Sequence, residues 1–529
     1  MALTTAPAVH SHPRPSLPVV LAILAGLAVA LPLAGVVAAA MGAGTADIAP
    51  RDVLRYAASS AWLALLVGLA TAVVGTVAAW LVAMHRFPGR DLFAWALALP
   101  LAVPAFALAY GYADLLDVAS PLRVWLRAAA GFDLPFGMRN TGGAAFVLSC
   151  AFYPYVYLAM RAAFLNQSVN VLEAARMLGC GGRAALWRVA LPMARPALAA
   201  GVALAVMETL ADYGAVQFLS VQTLTTGVVR AWSVYGSTVS AARFALPLLA
   251  AAALLLWIER RGRRGVAHEG GRGRWRAIEA QPLGGVAAWG ATAFCAALVV
   301  AGLILPVGWL AWSLTETSPD WPRLARAAGH SLFLGTAGAI VTVTLATMLA
   351  LGTRRLPLAG RLASLGYATP GAVMAIGLLA PAGAIWAVFP GSGTAIGVAL
   401  LIYAYAARLM AAALEPIDAG LTRVTPSMVH AARTLGRSEG GAALAVELPV
   451  ARGTMLTAAL IVFVDVLKEL PATLILRPFD FDTLAVIASN YALDERLGAA
   501  GLPSILIVLL AVPAVMWLTR RIALARPGT

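Results

Sequence analysis

Twelve stretches of the chain are apolar for about the 20 residues that a helix needs to cross a bilayer. They run near 17–41, 59–84, 92–116, 142–164, 193–219 and 240–258 and, after a polar break, near 286–312, 331–352, 362–389, 393–414, 450–475 and 502–519. Each is predicted to be a spanning helix, because a backbone in lipid has to satisfy its own hydrogen bonds. The break at 259–283 is rich in Arg and Gly and has no apolar period, which predicts a solvated linker. The first stretch follows a polar lead with His10, His12 and Arg14. It exceeds the apolar core of a secretion signal, about 7–15 residues, so an uncleaved first helix is expected.

Composition sharpens the class. Apolar residues make up 61% of the 529 positions and charged residues 12%, against roughly 45–50% and about 25% in soluble domains. Disordered, collagen-like and disulfide-framework classes are excluded by the same figures. The net charge is +14, and Lys468 is the one lysine. The arginines cluster in alternate loops, such as Arg86 and Arg90, then Arg161, Arg176, Arg183 and Arg188, then seven from Arg260 to Arg276. Later clusters are Arg354, Arg355 and Arg361, then Arg408, Arg423, Arg433 and Arg437, then Arg520, Arg521 and Arg526. The intervening loops mix signs, as at Asp117, Arg123, Arg127 and Asp133. The positive-inside rule therefore places both termini and the linker in the cytoplasm. The basic linker is expected beside anionic lipid, with no nucleic-acid partner. Cys150, Cys180 and Cys295 have neither disulfide-framework nor metal-site spacing.

The two halves repeat each other. Between Glu173–Arg195 and His430–Arg452, at an offset of 257, eleven of 23 positions are identical without a gap. Pro88 and Arg90 before Pro100 parallel Pro357 and Arg361 before Pro370, and Glu208 and Asp212 parallel Asp465 and Glu469. Six spans per half give both halves the same direction through the membrane. The fold class predicted is thus all-α and integral to the membrane, about 12 transmembrane helices as two parallel six-helix repeats with a pathway between them.

The loop from Arg161 to Leu191 is long and patterned. Val171, Leu172, Ala175 and Leu178 recur at helical spacing, Gly179 suits a C-terminal cap, and Pro192 can open the next span. A short helix there packs on the bundle or meets a partner, and two copies suggest two equivalent partner subunits. The run Glu173-Ala174-Ala175 to Gly179, with Leu191-Pro192 about a dozen residues on, resembles the coupling motif of permease subunits in bacterial binding-protein-dependent ABC importers. The second copy is His430-Ala431-Ala432 to Gly436 with Leu448-Pro449, and it departs from the motif where His430 replaces the acid.

The resemblance implies a type I importer permease fold in the inner membrane. It also implies two copies of a cytoplasmic ABC ATPase docked on the two motifs, a periplasmic substrate-binding protein, and no cofactor. By resemblance, closure of the ATPases on ATP pushes the short helices, and the halves rock to open the pathway outward and then inward. A finer likeness to the fused permeases of the ferric-iron branch rests on Met207 to Gly214, Thr225-Thr226-Gly227, Arg230-Ala231-Trp232 and Phe463 to Thr473. It implies ferric iron as cargo, with thiamine, phosphonate and polyamine permeases as relatives. An ion-coupled secondary transporter, the alternative from another class, explains spans and acids but not the paired short helices.

The chain itself is not expected to be an enzyme. A phosphate-binding G-x-x-x-x-G-K-[ST] loop needs a lysine after its glycine, and Lys468 follows Leu467. The intramembrane acids Glu208, Asp212, Asp465 and Glu469, with Lys468 beside them, are the remaining site candidates. Charge in lipid is costly, so these are candidate pathway residues, with helix-locking ion pairs as the competing reading. Glu208 and Asp212 are spaced i, i+4 on one predicted helix face, as are Asp465 and Glu469, and Lys468 can pair with Asp465. At 1.5 Å per residue, Glu208 lies about 24 Å beyond Pro192, in the outer part of the bilayer. The organisation expected is a terminus, first helix and outer loop at 1–54, a permease domain at 55–258, the linker at 259–283, a seventh helix and outer loop at 284–329, and a second permease domain at 330–529.

Overall fold

The computed structural model describes residues 17–42, 49–133, 137–165, 177, 184, 186–263, 280–316, 318–353, 357–389 and 391–524. Eleven helices among them are long and apolar enough to cross a membrane, and twelve when a pair bent by 92° counts as one span. The described residues are therefore all-α apart from a two-residue parallel pairing of His85–Arg86 with Gln281–Pro282.

Several predicted spans have different ends. The second and eighth begin earlier, as Pro50–Met84 and Trp321–Thr353, because Pro at a helix start and polar residues along one flank extend the helix beyond the apolar window. The third is the bent pair Arg90–Ala102 and Ala105–Leu115. Its corner is Pro104, with ψ 139°, which fills the place that Pro370, with ψ 146°, fills before Gly371–Val388. Pro104, not Pro100, is thus the structural partner of Pro370. Pro100 sits within a tight turn, Leu99–Ala102.

The runs predicted at 193–219 and 450–475 are each broken. The helix Leu191–Ala211 stops at Asp212, and the short helices Gly214–Phe218 and Leu224–Ser233 follow before Thr238–Arg263 descends. The helix Leu448–Leu467 stops at Lys468, and Pro471–Leu476 and Leu484–Leu493 precede Leu497–Leu524. The caps repeat between halves. Thr223 and Thr483 each accept from a backbone N–H three residues on. The next N–H, of Leu224 or Leu484, donates to Ser60 Oγ at 2.8 Å or Ser331 Oγ at 2.9 Å on the second span of its half.

The first span of each half packs on the other half. Leu17–Ala40 lies against Trp321–Thr353 and Gly371–Val388, and Ala28 O accepts from Tyr403 OH at 2.5 Å. Conversely, Gly285–Ser313 lies against Ala105–Leu115. There Tyr112 OH donates to Ala301 O at 2.7 Å, and Trp309 Nε1 to Asp114 Oδ2 at 2.8 Å. Few hydrophobic differences drive association in lipid, so such close backbone approach and hydrogen bonds hold these helices.

Candidate functional site: a charged layer between the halves

The apolar sequence around Leu191–Ala211 and Leu448–Leu467 makes both helices membrane-spanning, and each ends at a charge. Asp212 is not on a helix face with Glu208. Its backbone is extended, with ψ 135°, and its Oδ1 accepts from the N–H groups of Ala215 and Val216, both at 3.1 Å. Glu469 does the same one repeat later, its Oε1 accepting from Ala472 N–H at 3.2 Å. The i, i+4 face predicted for each acid pair is therefore replaced by an acid on the long helix and an acid capping the short helix after it.

All five charged candidates line one small chamber of about 70 Å³ between the halves. Lys468 Nζ lies 2.9 Å from Asp465 Oδ1. The sixth charge there is Arg408, which ion-pairs with Glu469 in its own half and stands 3.8 Å from Glu208 Oε2 of the first half. The arginine clustering predicts a loop position for Arg408, and the fold places it elsewhere. It lies well inside Gly393–Leu421 and is buried, and Arg161 is likewise buried inside Thr141–Leu165. The signal was present: each arginine falls within an apolar run, and an intramembrane arginine calls for a partner as strongly as an acid does.

A larger cavity of about 570 Å³ opens beside this layer, on the side where Leu191–Ala211 begins and Gly393–Leu421 ends. Leu101, Tyr155, Asp465 and Lys468 border both spaces. Away from the cavity, Gly214 comes up against Phe106 and Leu470, so apolar groups of both halves close the other side of the layer. Among the described residues no three His, Cys, Asp or Glu side chains are grouped as metal ligands.

Of the coupling residues, Glu173, Ala174, Ala175 and Gly179 lie outside the described residues, while Leu191 and Pro192 open the span Leu191–Ala211. The second motif forms the helix Pro426–Thr434, with His430 and Ala431 exposed and Ala432 buried. It ends in a Schellman turn: Arg437 N–H donates to Ala432 O and Gly436 N–H to Arg433 O. Gly436 has φ +84°, where a side chain would be strained. Leu435 beside it is 84% exposed, an apolar knob on the face where Leu448-Pro449 starts the next span.

On the opposite face, the Arg139 guanidinium of the first half makes bonds of 2.7 and 2.6 Å to the two carboxylate oxygens of Glu495 in the second. Hydrogen bonding to Arg139 holds the Glu495 carboxyl below its usual range. The pair therefore acts above ordinary carboxylate pKa values and is lost only as pH falls through that lowered value. Both groups are solvated, so its contribution is small.

These features define the class. Residues 72–311 match the family described as binding-protein-dependent transport system inner membrane component. The chain is a fused, two-half permease of that kind, a multi-pass inner-membrane pore subunit that works with a binding protein and leaves ATP hydrolysis to a separate ABC subunit. It is 24% identical to the Fe(3+)-transport system permease protein FbpB 2 of Haemophilus influenzae, across 92% of this chain and 95% of that one. It is 31% identical to the sulfate transport system permease protein CysT of Escherichia coli, but over 30% of this chain and 55% of the relative. The molybdenum transport system permease protein ModB of Escherichia coli is 31% identical over 27% of this chain and 60% of its own length.

Proposed function

We propose that this permease carries ferric iron inward, with the pathway running between the halves through the charged layer. The observation that carries this reading is the similarity to an Fe(3+)-transport permease over nearly the whole of both chains, whereas the oxyanion permeases match only a part. The chemistry of the layer supports it. Four acids against Arg408 and Lys468 suit a cation better than sulfate or molybdate. Two ATPase copies would dock on the segments Glu173–Gly179 and His430–Gly436, and both termini and the linker 259–283 would face the cytoplasm. The large cavity then opens to the cytoplasm, and the structure is the inward-facing state.

Two measurements test this. Replacing Glu208 by Gln and Asp465 by Asn together should cut cellular uptake of radioactive iron at least tenfold with protein abundance retained; undiminished uptake at normal abundance rejects a pathway role for these acids. A Gly265→Cys variant should resist an impermeant thiol reagent in intact cells and react once the membrane is opened. Ready labelling from outside reverses the topology.

A further inference from the structure

Arg408 is held unequally by its two acids. It pairs closely with Glu469, which belongs to its own half and is fixed by the Ala472 N–H and by Thr473, whose hydroxyl donates to Glu469 O at 2.7 Å. Its reach to Glu208, on the helix Leu191–Ala211 of the first half, is 3.8 Å. The Arg408 Nε is buried without a hydrogen-bond partner among the described residues. Separation of the halves would carry Arg408 away with Glu469, so the cation is never stranded, and only the bond to Glu208 breaks. A charge bound on one side and reaching across on the other is a contact that can be made and broken without unfolding either half. It also lies where the large cavity ends. The alternation of acids and bases across the two halves suits a lock.

We infer that Arg408 is the lock between the halves: anchored on Glu469, it holds Glu208 and keeps the pathway closed at the charged layer, and transport requires that this one bond open. This deepens the permease reading and does not depend on which cargo is carried. Loss of the bond removes an interaction made only in the closed state, so the population shifts toward the state in which the halves part on that side and the ATPases engage.

The test uses the permease–ATPase complex in proteoliposomes and reads ATP hydrolysis without binding protein or iron. Glu208→Gln keeps the Arg408–Glu469 pair, so the complex should assemble. Its hydrolysis without binding protein should rise about tenfold, equivalent to about 1.4 kcal/mol. Glu208→Asp, which keeps the charge but shortens the reach, should give a smaller rise and serves alone if the amide variant fails to accumulate. Hydrolysis within twofold of the unaltered complex, in an assembled variant, overturns the lock. A rise in hydrolysis with no iron transport by the unaltered complex would uphold the lock and remove iron as the cargo.

Discussion

Glu469→Ala should deplete the protein from the membrane. The substitution leaves the buried guanidinium of Arg408 with the longer, 3.8 Å reach to Glu208 in place of its close partner, and strips the short helix Pro471–Leu476 of its cap. Removing one partner of a buried ion pair costs about 3–5 kcal/mol and a lost cap about 1 kcal/mol. Together these approach the whole stability of many domains. Asp212 occupies the same place in the first half and also caps a short helix, through two backbone N–H groups. Asp212→Ala should cost only the cap, about 1 kcal/mol. Immunoblots of membranes and melting in detergent would rank the two variants. Equal abundance of both would show that the Arg408 ion pair carries no stability.

Gly377→Leu should be nearly as damaging, for a steric reason. On the helix Gly371–Val388, a Cβ at Gly377 would collide with the Pro32 carbonyl of the first span and lie 3.0 Å from Val36 Cγ2. Backbone cannot yield as a side-chain tip can, so the first span has to move off the second half. Overpacking of this kind costs roughly 1–3 kcal/mol and more where backbone is struck. The melting temperature in detergent should fall by several degrees. At Gly383 on the same helix an added Cβ meets nothing within 4 Å, so Gly383→Leu should leave it unchanged. A similar drop for both would mean that leucine acts through the lipid-facing surface and not through the contact between spans.

Much of this architecture was legible in the apolar pattern, because length and hydropathy alone decide which segments can lie in lipid. The repeat was legible too: Asp212 and Glu469, 257 residues apart, cap equivalent short helices. What the pattern hid was where an apolar run stops being one helix. Asp212 and Lys468 end helices inside continuous apolar stretches, since a cap changes backbone direction without changing hydropathy. Pro104 and Pro370 do the same at the bends. Arg408 was visible by its depth in a span, but its two partners lie 200 residues before it and 61 after, which no local spacing reveals. Nor does an amphipathic pattern say which neighbour a helix chooses, so the exchange of first spans is a property of the folded chain alone.

That exchange sets a timetable for synthesis. Ala28 and Tyr403 are bonded across 375 residues, and Tyr112 and Ala301 across 189. At about 5–20 residues per second, the first helix waits roughly 20–75 s in the bilayer before its partner emerges from the ribosome. The first half is not complete when its own last residue is inserted. The first lacks Gly285–Ser313 until the seventh span is made, and the second closes only on a helix inserted long before. One continuous chain delivers the exchanged helices in equal number and to the same place in the membrane. Two separate polypeptides would have to find each other while each still exposed the groove meant for the other's first helix.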